Sequence, residues 1–127
     1  MSDKLPAEKT RYSDEELEEF RLIVEDRIRQ AREQLAFLEN QLVELAESEE
    51  GKTRNLDDVV GSSELDRLVT LVSRQKKLIA HLENALLRIE NKVYGICRET
   101  GKLISKERLK AVPHATLSIV AKQKKRR

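Results

Sequence analysis

The sequence predicts a mainly α protein, built as a long antiparallel coiled-coil helical hairpin followed by a small C-terminal knob. Three observations carry this reading. Charged residues make up 38% of the 127-residue chain and aromatic residues only 3%, which suits long helices with a narrow apolar seam better than a broad core. Apolar residues recur at alternating steps of three and four in two separate runs, the heptad pattern of helices that pack along a stripe. After Gly95 the spacing changes, and short turn-rich motifs replace the heptads.

Residues 1–12 carry Pro6, show no periodicity and are expected to form an N-terminal tail. A helix should start at Ser13. Ser13 and Glu16 have the spacing of a capping box, and Tyr12 and Leu17 that of a hydrophobic staple. From there Leu17, Val24, Ala31, Leu38 and Leu45 occupy one heptad position and Ile28, Leu35 and Leu42 the other, with Arg21 interrupting the second series. The pattern ends near Glu49, where Gly51 offers the left-handed conformation that closes a helix. Roughly 35 residues at 1.5 Å each make a helix of about 50 Å.

A second run is expected after Gly61, with Ser62 or Ser63 as N-cap. It contains Leu65, Val72, Ile79, Leu86 and Val93, with Leu68, Gln75, Leu82 and Ile89 between them, and it stops at Tyr94-Gly95. Read backwards, the first series mirrors the second, so that each pair of positions adds to 110. Two mirrored seams stack layer on layer when the chain doubles back, Leu45 on Leu65 near the turn and Leu17 on Val93 at the base. Residues 13–93 are therefore assigned to the hairpin, with its tip near 48–62 and its fold point around Asn55. Gln75 and Arg21 are polar positions in the seam. Such residues set register, and both side chains are long enough to reach water. The turn is acidic, with Glu47, Glu49, Glu50, Asp57, Asp58 and Glu64 against Lys52 and Arg54.

Residues 94–121 form the expected knob. Ile96 to Lys102 reads as a tight turn, Ser105 as the cap of a short helix over Lys106–Lys110, and Pro113 as its end. Leu117, Ile119 and Ala121 alternate with Ser118 and Val120 in the manner of a short strand. Residues 122–127 make a basic tail.

Lys and Arg exceed Asp and Glu by only two, so no whole-molecule field would drive nucleic-acid or membrane binding. The sole cysteine, Cys97, excludes an internal disulfide. The polar N-terminus lacks a signal-peptide core, and no apolar stretch has the length of a membrane span, so a cytoplasmic setting is expected. There is no glycine-rich phosphate loop, no nucleophile with its base and no complete metal set, so the chain is not expected to be an enzyme.

The motifs Tyr94-Gly95-Ile96-Cys97, Thr100-Gly101, Arg108-Leu109, Ala111-Val112-Pro113 and Leu117 through Lys122 resemble the DksA/TraR family of bacterial transcription regulators. That family has a C-x-x-C-G turn, a short helix containing Arg-Leu, a proline and L-C-x-x-C-K, all following a helical hairpin. Here Cys97 holds the first cysteine position, and Thr100, Ser118 and Ala121 fill the others. A structural zinc site needs four thiolate or imidazole ligands, and Cys97 with His114 would supply two. The resemblance therefore implies a degenerate zinc-finger-like knob lacking the metal site, with no metal, no cofactor and Cys97 as a semi-buried thiol.

The resemblance further implies a regulator that binds RNA polymerase and inserts its coiled-coil tip into the secondary channel to modulate initiation. It does so without sequence-specific DNA binding of its own, as a monomer. The family's D-x-x-D-x-A tip motif falls on Arg54 to Val59 and keeps Asp57, with Asp58 as a second negative charge. Arg74 matches a residue that contacts the polymerase rim. Arg108 and Lys122 match basic positions of the knob, where Arg108 has an equal claim to a bond inside the fold. The family's contacts to guanosine tetraphosphate match His81, Val112 and Lys122. Two other readings stand beside this one, a coiled-coil scaffold or dimerisation protein with a non-polymerase partner and a nucleic-acid-binding protein led by the basic tail.

Overall fold

A computed structural model describes residues 10–51 and 56–125, with side chains described for 10–48 and 63–124. Four helices follow in order: α1 (Asp14–Gly51), α2 (Leu56–Glu90), α3 (Lys106–Ala111) and α4 (Ile119–Lys125). Among the described residues no strand forms, and Ile96 and Leu103 make one isolated antiparallel bridge. The chain divides into two compact units. A middle unit spans Ile28–Ala80, and a terminal unit joins the chain up to Arg27 with His81–Arg127.

The middle unit is built on the apolar seam. Leu38, Leu68 and Val72 are buried, with Leu35, Leu42, Leu45 and Leu71 packed against them, so the apolar stripes of α1 and α2 meet here as the two arms of a hairpin. Gln75 lies in that seam and donates from Nε2 to the Ala31 carbonyl at 3.1 Å. Lys76 Nζ stands 4.0 Å from the Glu39 carboxylate at the seam's edge. Burying each leucine-sized side chain contributes roughly 1.5–3 kcal/mol, and the seam repeats this along both helices.

In the terminal unit the start of α1 and the end of α2 share a core with the knob. Leu17, Phe20 and Val24 from α1, Leu82, Ala85 and Ile89 from α2, and Tyr94, Cys97, Ile104, Leu109 and Ala121 are all buried. The α1 capping box forms in both directions, Ser13 N–H to Glu16 Oε1 at 2.8 Å and Glu16 N–H to Ser13 Oγ at 3.1 Å. Ser105 caps α3 as expected, its hydroxyl accepting from the Arg108 N–H at 3.2 Å.

Five expectations are corrected. First, α2 begins at Leu56, so Gly61, Ser62 and Ser63 lie inside it and neither serine is its N-cap. Gly costs only about 1 kcal/mol in a helix, and an established helix propagates through it. α1 ends at Gly51 and α2 begins at Leu56, and the expected fold point, Asn55, lies outside the described residues. Second, Tyr12 is not part of a tail. Its ring is buried at 5.3 Å from Phe20, in edge contact, and its hydroxyl donates to the Ile104 carbonyl.

Third, Val93 is 40% exposed and does not cover Leu17. The helix closes before it. Val93 N–H bonds Arg88 O and Lys92 N–H bonds Ile89 O, with Lys92 at φ 66°. This is a Schellman closure whose left-handed position holds a lysine instead of glycine. Tyr94 takes the buried place, 5.1 Å from Phe20. Fourth, the segment read as a strand starts a helix, since Ser118 Oγ accepts from the Ala121 N–H at 3.2 Å and Ser118 O from the Lys122 N–H at 2.9 Å. A serine with that geometry is an N-cap, and residues 122–125 of the expected tail are helical. Fifth, Cys97 is fully buried, not semi-buried.

Candidate functional site

The acidic pair expected at the hairpin tip, Asp57 and Asp58, lies in the first turn of α2. Carboxylates are favoured there because the first turn leaves N–H groups unpaired and carries positive helix-dipole charge. Their side chains lie outside the described residues. Near the other side of that gap Glu64 is exposed and paired with Arg67 at 2.7 Å, a partner that holds its carboxyl below the usual range. Arg74 lies exposed on α2 in the middle unit, one residue from the half-buried Gln75 seam position.

Arg108 and Lys122 come together at one cavity of about 310 Å³ in the terminal unit. His81 and Val112 line the same space, so the three positions matched to the family's nucleotide contacts surround one opening. Arg108 is also structural, because its Nε donates to the Leu117 carbonyl at 2.8 Å. Arg88, which the sequence did not single out, and His114, weighed there only as a zinc ligand, complete the wall. Arg88 reaches the Ile96 carbonyl at 3.1 Å, and the His114 ring stacks on His81 with centroids 5.8 Å apart and planes 11° from parallel. No Asp or Glu lines the cavity among the described residues. Such a concave, cationic wall suits an anionic group. The resemblance matched His81, Val112 and Lys122 to one set of contacts, but no local pattern groups the lining, whose basic residues are scattered through α2, α3, the following turn and α4.

The turn at Cys97 is closed by backbone bonds, Cys97 N–H to Lys102 O at 2.8 Å and Gly101 N–H to Cys97 O at 2.9 Å. The sulfur accepts from the Ser118 N–H at 3.4 Å and lies 3.8 Å from the Ser118 hydroxyl. Thr100 Oγ1 accepts from the Lys102 N–H at 3.2 Å, and Ala121 is buried. Burial pushes the Cys97 thiol up. Hydrogen bonds from the Thr100 hydroxyl and from the backbone N–H groups of Ser118, Thr100 and Glu99 outweigh it and bring the thiol down to about 6.

A helical hairpin whose base carries two paired turns, a short capped helix and a closing helix defines a class of small hairpin proteins with zinc-finger-like ends. Residues 92–127 match the model of the prokaryotic dksA/traR C4-type zinc finger. A protein from Caulobacter vibrioides named RNA polymerase-binding transcription factor DksA is 35% identical over 135 aligned residues, covering 99% of this chain and 87% of its own. General stress protein 16O from Bacillus subtilis is 31% identical over 85 residues, or 65% of this chain and 52% of its own. The solved structure of transcription factor DksA2 from Pseudomonas aeruginosa matches with a TM-score of 0.79 and 25% identity, over 97% of this chain and 91% of that one. The chain belongs to the DksA/TraR family, and membership makes it a regulator and not an enzyme.

The matched family model is a four-cysteine zinc finger, but the residues here do not fit a zinc ion. One thiol, two hydroxyls and a methyl occupy the four positions, and among the described residues no group of three His, Cys, Asp or Glu side chains is placed to hold a metal. Neutral hydroxyls are poor zinc donors and a methyl is none. Among the described residues no helix is long and apolar enough to cross a membrane.

Proposed function

We propose that this protein is a cytoplasmic transcription regulator that binds RNA polymerase and enters its secondary channel with the α1–α2 turn to modulate initiation. The observation that carries the reading is the whole-chain relation to a protein named as an RNA polymerase-binding transcription factor, together with a matching fold over 97% of the chain. Asp57 and Asp58 act at the tip, where two carboxylates in a helix's first turn bring negative charge to the end of a stiff support. Arg74 meets the polymerase rim, and Arg108 and Lys122 are knob contacts. The protein works as a monomer without a cofactor and needs no sequence-specific DNA contact of its own.

The test is co-purification with core polymerase, followed by promoter-dependent transcription with Asp57→Asn protein. Retained binding with lost regulation supports the reading. Absence of binding by the unaltered protein refutes it, and leaves the scaffold reading, for which a stable dimer in sedimentation would be the sign.

A further inference from the structure

We propose that His81 and His114 form an acid-operated clasp, which holds the turn around Pro113–Leu117 against α2 while the rings are neutral and releases it when His114 takes a proton. The stacked geometry is the starting point, with planes 11° apart and centroids separated by 5.8 Å. Neutral imidazoles tolerate this arrangement, whereas two imidazolium rings face to face repel. His81 is exposed on α2 and His114 is half-buried, so the contact joins a rigid helix to an irregular segment.

The surroundings oppose a second charge. His114 Nδ1 is buried and has no hydrogen-bond partner among the described residues, yet in the protonated ring both nitrogens are donors. Protonation would therefore strand an N–H where no acceptor waits. The charged groups facing the ring are Arg27 from α1, His81 and Arg88 from α2, Arg108 from α3 and Lys122 from α4. Tyr94 also lines the cavity, but its hydroxyl is committed to the Pro113 carbonyl at 2.8 Å. No carboxylate lines the space among the described residues. Burial first, then His81, Arg108, Lys122 and Arg27, hold the His114 imidazole below its ordinary 6.5.

The sign follows. The folded form binds this proton less readily than the unfolded chain, so the contribution is fully present above pH 6.5 and is lost as pH falls through the lower folded value. What lets go is local. The turn is tied by Tyr94 to Pro113, by Arg108 to Leu117, and by Arg98, whose N–H meets the Thr116 carbonyl and whose Nε meets the Thr116 hydroxyl, each at 2.9 Å, while both long helices keep their own ladders.

The chain has only two histidines, so each ring gives its own resonance in a titration of the intact protein. The ring of His114 should titrate below its ordinary 6.5, and hydrogen-exchange protection of the Ala115 and Arg98 amides should fall by up to about tenfold per pH unit between 6.5 and the lower folded value, with middle-unit amides unchanged. His114→Phe should keep the stacking surface and abolish that acid loss. His81→Gln should move the His114 transition upward, a readout that stands even where the Phe variant fails to fold. A His114 ring titrating at its ordinary value, or an equal acid loss in wild type and both variants, overturns the proposal. The experiment uses the protein alone and so is decided independently of polymerase binding.

Discussion

The backbone N–H of Ser118 points at the sulfur of Cys97 from 3.4 Å, and in doing so joins the two halves of the knuckle. Ser118 then uses its hydroxyl to cap α4 through the Ala121 N–H, so one residue both satisfies the sulfur and starts the closing helix. With the thiol brought down to about 6, the folded state holds a thiolate at neutral pH that the unfolded chain holds as a thiol. The folded value is depressed, so this contribution is present above the ordinary thiol value of 9.0 and is lost as pH falls toward 6. Stability measured by urea denaturation should rise between those limits, and Cys97→Ala should flatten the rise. Thiolate absorbance of the folded protein, followed against pH, checks the cause. Chelators should leave the unfolding midpoint unchanged, since no metal term is present to remove.

Gly95 and Gly101 separate backbone strain from crowding. Both have positive φ, 81° and 72°. A Cβ at Gly95 would sit 2.7 Å from the Tyr12 ring and 3.2 Å from Leu109, whereas one at Gly101 meets nothing within 4 Å. Gly101→Ala should cost about 1–2 kcal/mol for the left-handed conformation alone. Gly95→Ala should add about 1–3 kcal/mol of overpacking, because the ring it strikes is pinned by the Tyr12–Ile104 hydrogen bond. Equal losses in urea denaturation would mean that Tyr12 can move aside.

These contacts also mark what was legible in the sequence. The capping box at Ser13 and Glu16 and the cap at Ser105 are set by residues three apart, so the linear pattern contains all their physics. The mirrored seam was equally readable, because a heptad depends on side-chain type and spacing alone. The start of α2 was not, since Gly61-Ser62-Ser63 reads as a break while the cost of carrying them in a long helix is small. The end of α2 hid for the opposite reason: a lysine, and not a glycine, takes the left-handed position at Lys92. Residues 117–121 are too few to separate a period of two from one of 3.6, and the Ser118 cap decides them. The His81–His114 stack and the Tyr12–Ile104 bond join segments distant in the chain, and no local pattern announces either.

Glu16 has two tasks at the foot of α1. Its Oε1 accepts from the Ser13 N–H at 2.8 Å, and its Oε2 pairs with Lys106 Nζ at 2.8 Å, which ties the helix start to α3. Glu16→Gln keeps the reach to the Ser13 N–H and removes the ion pair, so it should cost little and lose its effect at high salt. Ser13→Ala removes the cap proper and should cost about 1 kcal/mol regardless of salt. Thermal denaturation of both variants at low and high salt distinguishes the two, and a salt-dependent Ser13→Ala loss would contradict the assignment.

Gln75 tests whether the polar seam position serves register or stability. Its amide donates to the Ala31 carbonyl, an acceptor already engaged by helix geometry, so the bond adds direction more than energy. Replacing it with leucine continues the apolar run of Leu68, Val72 and Ile79, all buried, and should raise stability by about 1 kcal/mol. The gain comes with a loss of discrimination, because an all-apolar seam accepts neighbouring registers and other chains as readily as its own partner. Gln75→Leu should therefore unfold at higher urea yet show association in sedimentation velocity at concentrations where the unaltered protein remains a single species. A variant both less stable and equally monomeric would show that the amide contributes net energy, and that the seam at this layer is shaped for a glutamine and not for another leucine.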